Sequence, residues 1–238
     1  MRLLLLPAVA VLLAGCGSEG KDDDTADPAP ASDTRLLGLN QAAVEVPDSW
    51  ATNESSCGTP MVDTVVVDVA ASPLCYVPRP RGVESVQLEE ARPRDFKADE
   101  TVEIDGVRAE RERTICEGLL KDEGWCQGII WIPSESAAFR ATSSTSKETV
   151  DELLAEVQIV PDRVGIPGFS QLDIELQSGA SKKYADVLRA AGLDPRLVEE
   201  QGEPGLPAGY VLGASPSPGT MVEPGEKVTV RVAGAPKQ

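Results

Sequence analysis

The chain has 238 residues, with 39 acidic and 22 basic side chains, a formal net charge of −17 and no histidine. Nucleic-acid binders carry a basic electrostatic footprint, so this balance excludes nucleic acid as a partner and also excludes charge-driven adhesion to anionic lipid. Without histidine there is no Ser-His-Asp or Cys-His catalysis, no histidine-ligated zinc, and no use of the commonest general base.

Arg2 precedes an apolar run from Leu3 to Leu13. The run is shorter than the ~20 residues a membrane-spanning helix needs and fits the apolar region of a secretory signal. It ends in Leu13-Ala14-Gly15-Cys16, followed by Gly17 and Ser18. This resembles the bacterial lipobox. The resemblance implies a signal peptide over residues 1–15, cleavage before Cys16, and a lipid on its sulfur. The protein is then extracytoplasmic and attached to the cell membrane. Removing residues 1–15 removes Arg2 and no acid, so the mature chain is more negative still. Its membrane attachment must come from acyl chains. One chain holds only marginally, and multiple acylation at Cys16 meets that requirement. Residues 16–33, small, acidic and proline-containing, read as a lipidated disordered linker.

Cys57, Cys75, Cys116 and Cys126 remain. An even number in an exported chain reads as disulfides. No Cys-x-x-Cys spacing occurs, which leaves a metal site without close ligands; no cofactor motif appears either. Four cysteines allow three pairings. Short local loops favour Cys57–Cys75 and Cys116–Cys126, and the sequence leaves the choice open.

Residues 34–161 read as one disulfide-stapled α+β domain. Arg35–Val46 has strand character and runs into Pro47-Asp48-Ser49-Trp50. Asp63–Ala70 is β-branched, and Gly82–Glu89 alternates apolar with polar. Asp105-Gly106 joins Thr101–Ile104 to Val107–Cys116 as a two-residue hairpin. Trp125–Ile132 and Ala137–Thr142 follow as strands. Thr145 and Glu148 have capping-box spacing, and Val150, Leu153, Leu154 and Val157 recur at helical spacing. The spacing predicts a helix over 146–157 that closes an antiparallel sheet. The strand into V-P-D-S-W and the closing helix before V-Q-I-V-P are similar to the PsbP-like lipoprotein domains of actinobacteria.

Residues 166–234 carry a sharper pattern. Ser181 can cap a helix bearing Tyr184, Val187, Leu188 and Ala191 on one face, and Gly192 stops it. Pro216 and Pro218 cannot donate to a ladder, Pro218-Gly219 turns the chain, and Lys227–Val232 alternates as an edge or half-buried strand. The segments ADVLRAAGL (185–193), PAGYVLGASPSPGT (207–220) and EPGEKVTVRV (223–232) resemble a PASTA domain, a small module of penicillin-binding proteins and of bacterial Ser/Thr kinase ectodomains. Ile166-Pro167-Gly168-Phe169 stands where the family opens. Roughly ten extra residues within 172–181 depart from the pattern, a length loop-closure entropy tolerates. The resemblance implies one helix on a three-stranded sheet and contact with peptidoglycan or its precursors. Tyr210, Ser215, Ser217 and Thr220 are its candidate contact points.

Other motifs carry less. Ser144-Thr145-Ser146-Lys147 matches the Ser-x-x-Lys acyl-enzyme pattern, but its Ser-Asp-Asn and Lys-Thr-Gly partners are missing. Asn53-Glu54-Ser55 is a chance glycosylation sequon. Trp50, Trp125 and Trp131 read as core rather than as a ligand groove. Arg79, Arg81, Arg108, Arg111 and Arg113 read as a solvated strand face rather than an anion site. With no complete catalytic set, the expected function is non-enzymatic: an envelope lipoprotein whose PASTA module contacts peptidoglycan. Its alternatives are a scaffold that docks envelope proteins, and a small-ligand carrier using residues 34–161.

Overall fold

A computed structural model describes residues 33–68, 75, 77–117, 124–169, 179–201 and 206–235. Cys16 and the signal and linker segments assigned around it lie outside the described residues. Strands β1 (Thr34–Leu39) and β2 (Ala42–Pro47) form an antiparallel hairpin rather than the single strand expected over 35–46. The break falls at Asn40, whose φ of 49° is left-handed, a conformation asparagine tolerates better than most residues. The turn brings Leu37, Leu39, Val44 and Val46 into one core.

The main sheet has seven strands. In chain order they are β3 (Ala51–Thr52), β6 (Thr64–Val66), β7 (Glu84–Glu89), β8 (Glu100–Ile104), β9 (Val107–Glu117), β10 (Trp125–Ile132) and β11 (Ala137–Ser143). A small hairpin of β4 (Ser55–Ser56) and β5 (Thr59–Pro60) separates β3 from β6. The spatial order is β3-β6-β7-β11-β10-β9-β8. The sheet is mixed rather than antiparallel throughout, because β6 runs parallel to both β3 and β7. A parallel pair needs a long crossover, and the segment between β6 and β7, which carries Cys75, supplies it. Asp105 and Gly106 make the tight β8–β9 turn with φ of 49° and 82°, as their dipeptide predicts.

Helix α1 (Lys147–Ala155) lies on one face of this sheet and buries Val150 and Leu154. Its cap is Ser146, whose Oγ accepts from the Thr149 amide at 3.1 Å. Thr145, the expected cap, instead donates its hydroxyl to Glu84 at 2.6 Å. The helix also stops earlier than expected. Val157 opens strand β12 (Val157–Ile159), which pairs with β2, so the domain closes on a strand and not on the helix. Val157 still enters the core. Asp151 ties α1 to β9, accepting from Arg111 at 2.7 Å, Thr114 at 2.5 Å and Lys147 at 3.1 Å.

A second core lies under the C-terminal segment. Its elements are β13 (Val164–Gly165), α2 (Ala180–Ala190), β14 (Asp194–Glu200), β15 (Val211–Ser215), β16 (Met221–Val222) and β17 (Lys227–Ala233). The helix covers a three-stranded sheet of order β14-β17-β15, and β13 pairs separately with β16. β17 is the central strand, parallel to β14 and antiparallel to β15, and not an edge. Its alternation survives because one face is packed by α2, burying Val228, Val230 and Val232. Gly179, at φ 89°, precedes α2 as its cap, and Ser181 sits inside the first turn with its amide on the Gly209 carbonyl. Among the described residues no helix is long and apolar enough to cross a membrane.

The two cores meet along a backbone seam. The Gly38 amide donates to the Gly219 carbonyl at 2.8 Å, Gly165 to Asn40 at 2.7 Å, and Gly219 to Ile166 at 2.7 Å. Phe169 donates its amide to the Asp68 carboxylate at 2.6 Å. A Cβ on Gly165 would strike the backbone of Gly38, whereas one on Gly82 would meet open space. Gly165→Ala therefore lowers stability by at least about 2 kcal/mol, since backbone cannot yield as a side chain can. Gly82→Ala, which bears only the left-handed φ of 73°, costs about 1 kcal/mol. Denaturant melts of both variants check the contrast.

Burial alone would push the Asp151 carboxyl up, but hydrogen bonds from Thr114 and Lys147 and the charges of Lys147 and Arg111 hold it below the usual aspartate range. A depressed carboxylate adds stability above its unfolded pKa and loses it as pH falls through the folded value. Asp151→Asn should therefore destabilise the protein at neutral pH and flatten the fall of Tm below about pH 4. Thermal melts across pH 2–7 measure both effects.

Candidate functional site

Tyr184 ties the opening segment of the C-terminal module to its helix. This side chain is fully buried in α2, donates its hydroxyl to the Pro167 carbonyl at 2.9 Å, and meets Phe169 edge-on at 5.3 Å. Burial, with the nearby charges of Asp68 and Glu90, drives its pKa far above the usual tyrosine value, so it acts as a neutral donor. The opening Ile166-Pro167-Gly168-Phe169 is thereby held against the helix although roughly ten residues intervene in sequence.

The four candidate contact residues divide into two groups. Ser215, Ser217 and Thr220 surround the loop after β15, and the Ser217 and Thr220 hydroxyls lie 3.2 Å apart. Tyr210 stands half-buried at the other end of β15. Thr220 is committed to the seam: its carbonyl accepts from Ile166 at 3.1 Å and it bridges Leu37. Ser215 and Ser217 are exposed.

The cysteines pair as Cys57–Cys75 and Cys116–Cys126. Cys116 and Cys126 are directly opposed across β9 and β10. Cys57–Cys75 fastens the β4–β5 turn to the segment leading into β7. A cleft of about 470 Å³ lies on the outer face of the main sheet, the face away from α1; Gly58 and Trp125, next in sequence to Cys57 and Cys126, line it, while Cys126 itself turns into the core on the α1 side. Its floor comes from side-chain alternation on three adjacent strands. Ser85, Thr142 and Gln127 stand opposite one another across β7, β11 and β10, and Gln87 and Arg140 form the next row. Thr59, Pro60 and Val77 to Arg81 wall it on one side and Trp125 on the other.

The charges in this cleft differ from those of the chain as a whole. Arg79, Arg81 and Arg140 line it, and no carboxylate does so among the described residues. Arg140 is neutralised along the same face by Glu89 at 2.8 Å, one row beyond Gln87, and by Asp95 at 3.1 Å. Arg79 reaches the Ser85 hydroxyl at 3.0 Å and the Val83 carbonyl at 3.4 Å. Burial pushes its pKa down, and the charge of Glu84 offsets this only partly.

The five arginines singled out from sequence do not share a face. Arg79 and Arg81 enter the cleft, Arg108 is exposed, Arg111 binds Asp151, and Arg113 pairs with Asp99 at 3.3 Å. Arg140, the third cleft arginine, carries no local sequence signal. Trp50 and Trp131 are core, at 8% and 9% exposure, while Trp125 is half-buried at the cleft. Ser144 of the Ser-x-x-Lys pattern accepts from the Val83 amide at 3.0 Å, and Lys147 binds Asp151, so the two are engaged elsewhere. Asn53 of the sequon accepts from the Val67 and Asp68 amides at 2.7 and 2.9 Å, a structural use of its side chain. Among the described residues, no group of three or more Cys, Asp or Glu side chains could hold a metal ion.

No curated protein matches the chain. Residues 181–234, which fold as α2 packed on β14, β17 and β15 together with β16, match the PASTA domain family.

Proposed function

We propose that this protein is a non-enzymatic component of the bacterial cell envelope, extracytoplasmic, held to the membrane by a lipid on Cys16, with its PASTA module contacting peptidoglycan or its precursors. The observation that carries the reading is the PASTA match over residues 181–234, in a segment that folds as one helix on a three-stranded sheet. Peptidoglycan-related ligands are what that module type contacts. The lipobox resemblance at Leu13–Cys16 supports the anchor, and two disulfides suit an oxidising compartment.

An acidic chain has no electrostatic reason to adhere to an anionic wall, so retention there must rest on shape-fitted hydrogen bonds. A single module binds weakly without the avidity of an array. Cys16→Ser should release the protein from membranes into the soluble fraction; a variant that stays membrane-bound after a high-salt wash refutes the anchor. Purified sacculi should sediment the full chain equally at low and high salt, because screening weakens exposed charge attraction and not close polar contacts. Tyr210→Ala and Ser215→Ala, which leave the seam intact, should each reduce the bound fraction. Absence of retention at either salt removes the wall contact and leaves the scaffold that docks envelope proteins.

A further inference from the structure

The cleft on the outer face of the main sheet lies outside the PASTA module and is not used by the proposed wall contact. Its floor is polar where a sheet face covered by other chain would be apolar. Gln87, Gln127 and Thr142 are half-buried, yet none of their side chains makes a hydrogen bond to a described residue. Their polar atoms are not among the buried unpaired ones, so they stay open to the cleft, whereas Ser85 beside them is engaged by Arg79 at 3.0 Å. Three adjacent donors and acceptors left unpaired in a concave site are the polar groups that fix a ligand's orientation.

Shape and charge narrow the ligand. The volume of about 470 Å³ falls within the range of small-molecule sites and is too small for a folded partner. Arg79 stands at the wall, part-buried, with no carboxylate in salt-bridge range among the described residues. Its burial is incompletely compensated, which favours an incoming anion. Its guanidinium has planar donors matched to a carboxylate. Trp125 adds a flat apolar surface on the opposite side, half-buried and without a hydrogen-bond partner for its indole N–H among the described residues. The amides and hydroxyl between them, ordered by strand register, suit a ring with several hydroxyl groups. We propose that this cleft binds a small acidic saccharide, with its carboxylate toward Arg79 and Arg81, its ring face on Trp125, and its hydroxyls on Gln87, Gln127 and Thr142.

Neither disulfide lines the cleft, but each lies next in sequence to a residue that does, Gly58 after Cys57 and Trp125 before Cys126. Cys116–Cys126 fixes the end of β10 from which Trp125 projects, and Cys57–Cys75 fixes the wall that leads to Arg79. The site is thus preorganised, which lowers the entropy cost of binding.

The test is calorimetric titration of the full chain with three probes: D-glucuronate, D-glucose and acetate. Glucuronate should bind saturably, at least tenfold tighter than either of the others. Arg81→Gln should bring glucuronate down toward glucose, and Gln127→Ala should weaken both sugars. Arg79→Gln should act as Arg81→Gln does, and if loss of its bonds to Val83 and Ser85 unfolds the domain, Arg81→Gln still decides the point. An unchanged melting temperature shows that Arg81→Gln and Gln127→Ala retain the fold. Acetate binding as tightly as glucuronate overturns the saccharide assignment, as does glucose binding equally well. Absence of saturation with glucuronate at tens of millimolar, or indifference to both Arg81→Gln and Gln127→Ala, overturns the site. Sacculus retention is read separately, so failure of one reading does not imply failure of the other.

Discussion

Alternation along β7, β11 and β10 is the constraint on which the central domain depends. Successive side chains on a strand face opposite sides, and these three strands lie next to one another. Val86, Leu88, Phe139, Ala141 and Ile130 therefore share one face, where α1 and the β1–β2 hairpin complete a core. Ser85, Gln87, Arg140, Thr142 and Gln127 are forced onto the other. A shift of register by one residue would exchange the two faces, putting the arginine and glutamines into the core. Burial of the first set thus fixes the position of the second. Toward the opposite end of the outer face, the polar rows give way to a small cluster of Phe96, Ile129, Trp131 and Ala138, which closes that part of the sheet against the segment before β8.

The seam imposes a different constraint, one of close approach. Gly38 and Gly165 bring backbone directly against backbone, and Gly219 lies against the Val67 side chain. Main-chain hydrogen bonds then run from the first hairpin into the loop after β15. This explains why Thr220, read from sequence as a ligand contact, has its carbonyl engaged by Ile166. The Gly219-Thr220 end of this loop serves the join between cores, and Ser215 and Ser217 are left at the surface. Residues Ser32–Gln238 accordingly form one compact unit, although their apolar residues collect into separate clusters.

What could be read from the sequence was mainly local. Asp105-Gly106 specifies its turn by backbone preference alone, and the α1 and α2 faces follow from helical spacing within one element. The two short cysteine loops also pointed to the pairing observed. The errors arose where a local pattern served two geometries. Arg35–Val46 is apolar enough for one long strand, and only the left-handed Asn40 divides it. KVTVRV, by contrast, is the half-buried strand that its alternation allowed, with Val228, Val230 and Val232 packed under α2. The cleft was least legible, since its floor joins Gln87, Gln127 and Arg140 from strands that become neighbours only through the order β7-β11-β10. Arg79 and Arg81 stand out in the sequence only as part of an arginine-rich composition that also includes Arg111 and Arg113 of β9, which pair with Asp151 and Asp99 instead.

Global and local charge act on different parts of the function. A formal net charge of −17 sets a long-range field that repels anions and keeps the chain from adhering to anionic surfaces. That field is screened beyond about 8 Å at physiological ionic strength. Within the cleft the nearest charges are those of Arg79, Arg81 and Arg140, and Glu89, which pairs with Arg140, sits one row further along the same face, outside the lining. An anion near the mouth therefore meets repulsion that salt removes, and then a short-range attraction that salt weakens much less, because the guanidinium of Arg79 is part-buried. The same separation of ranges lets a chain with a large negative net charge hold a locally cationic recess.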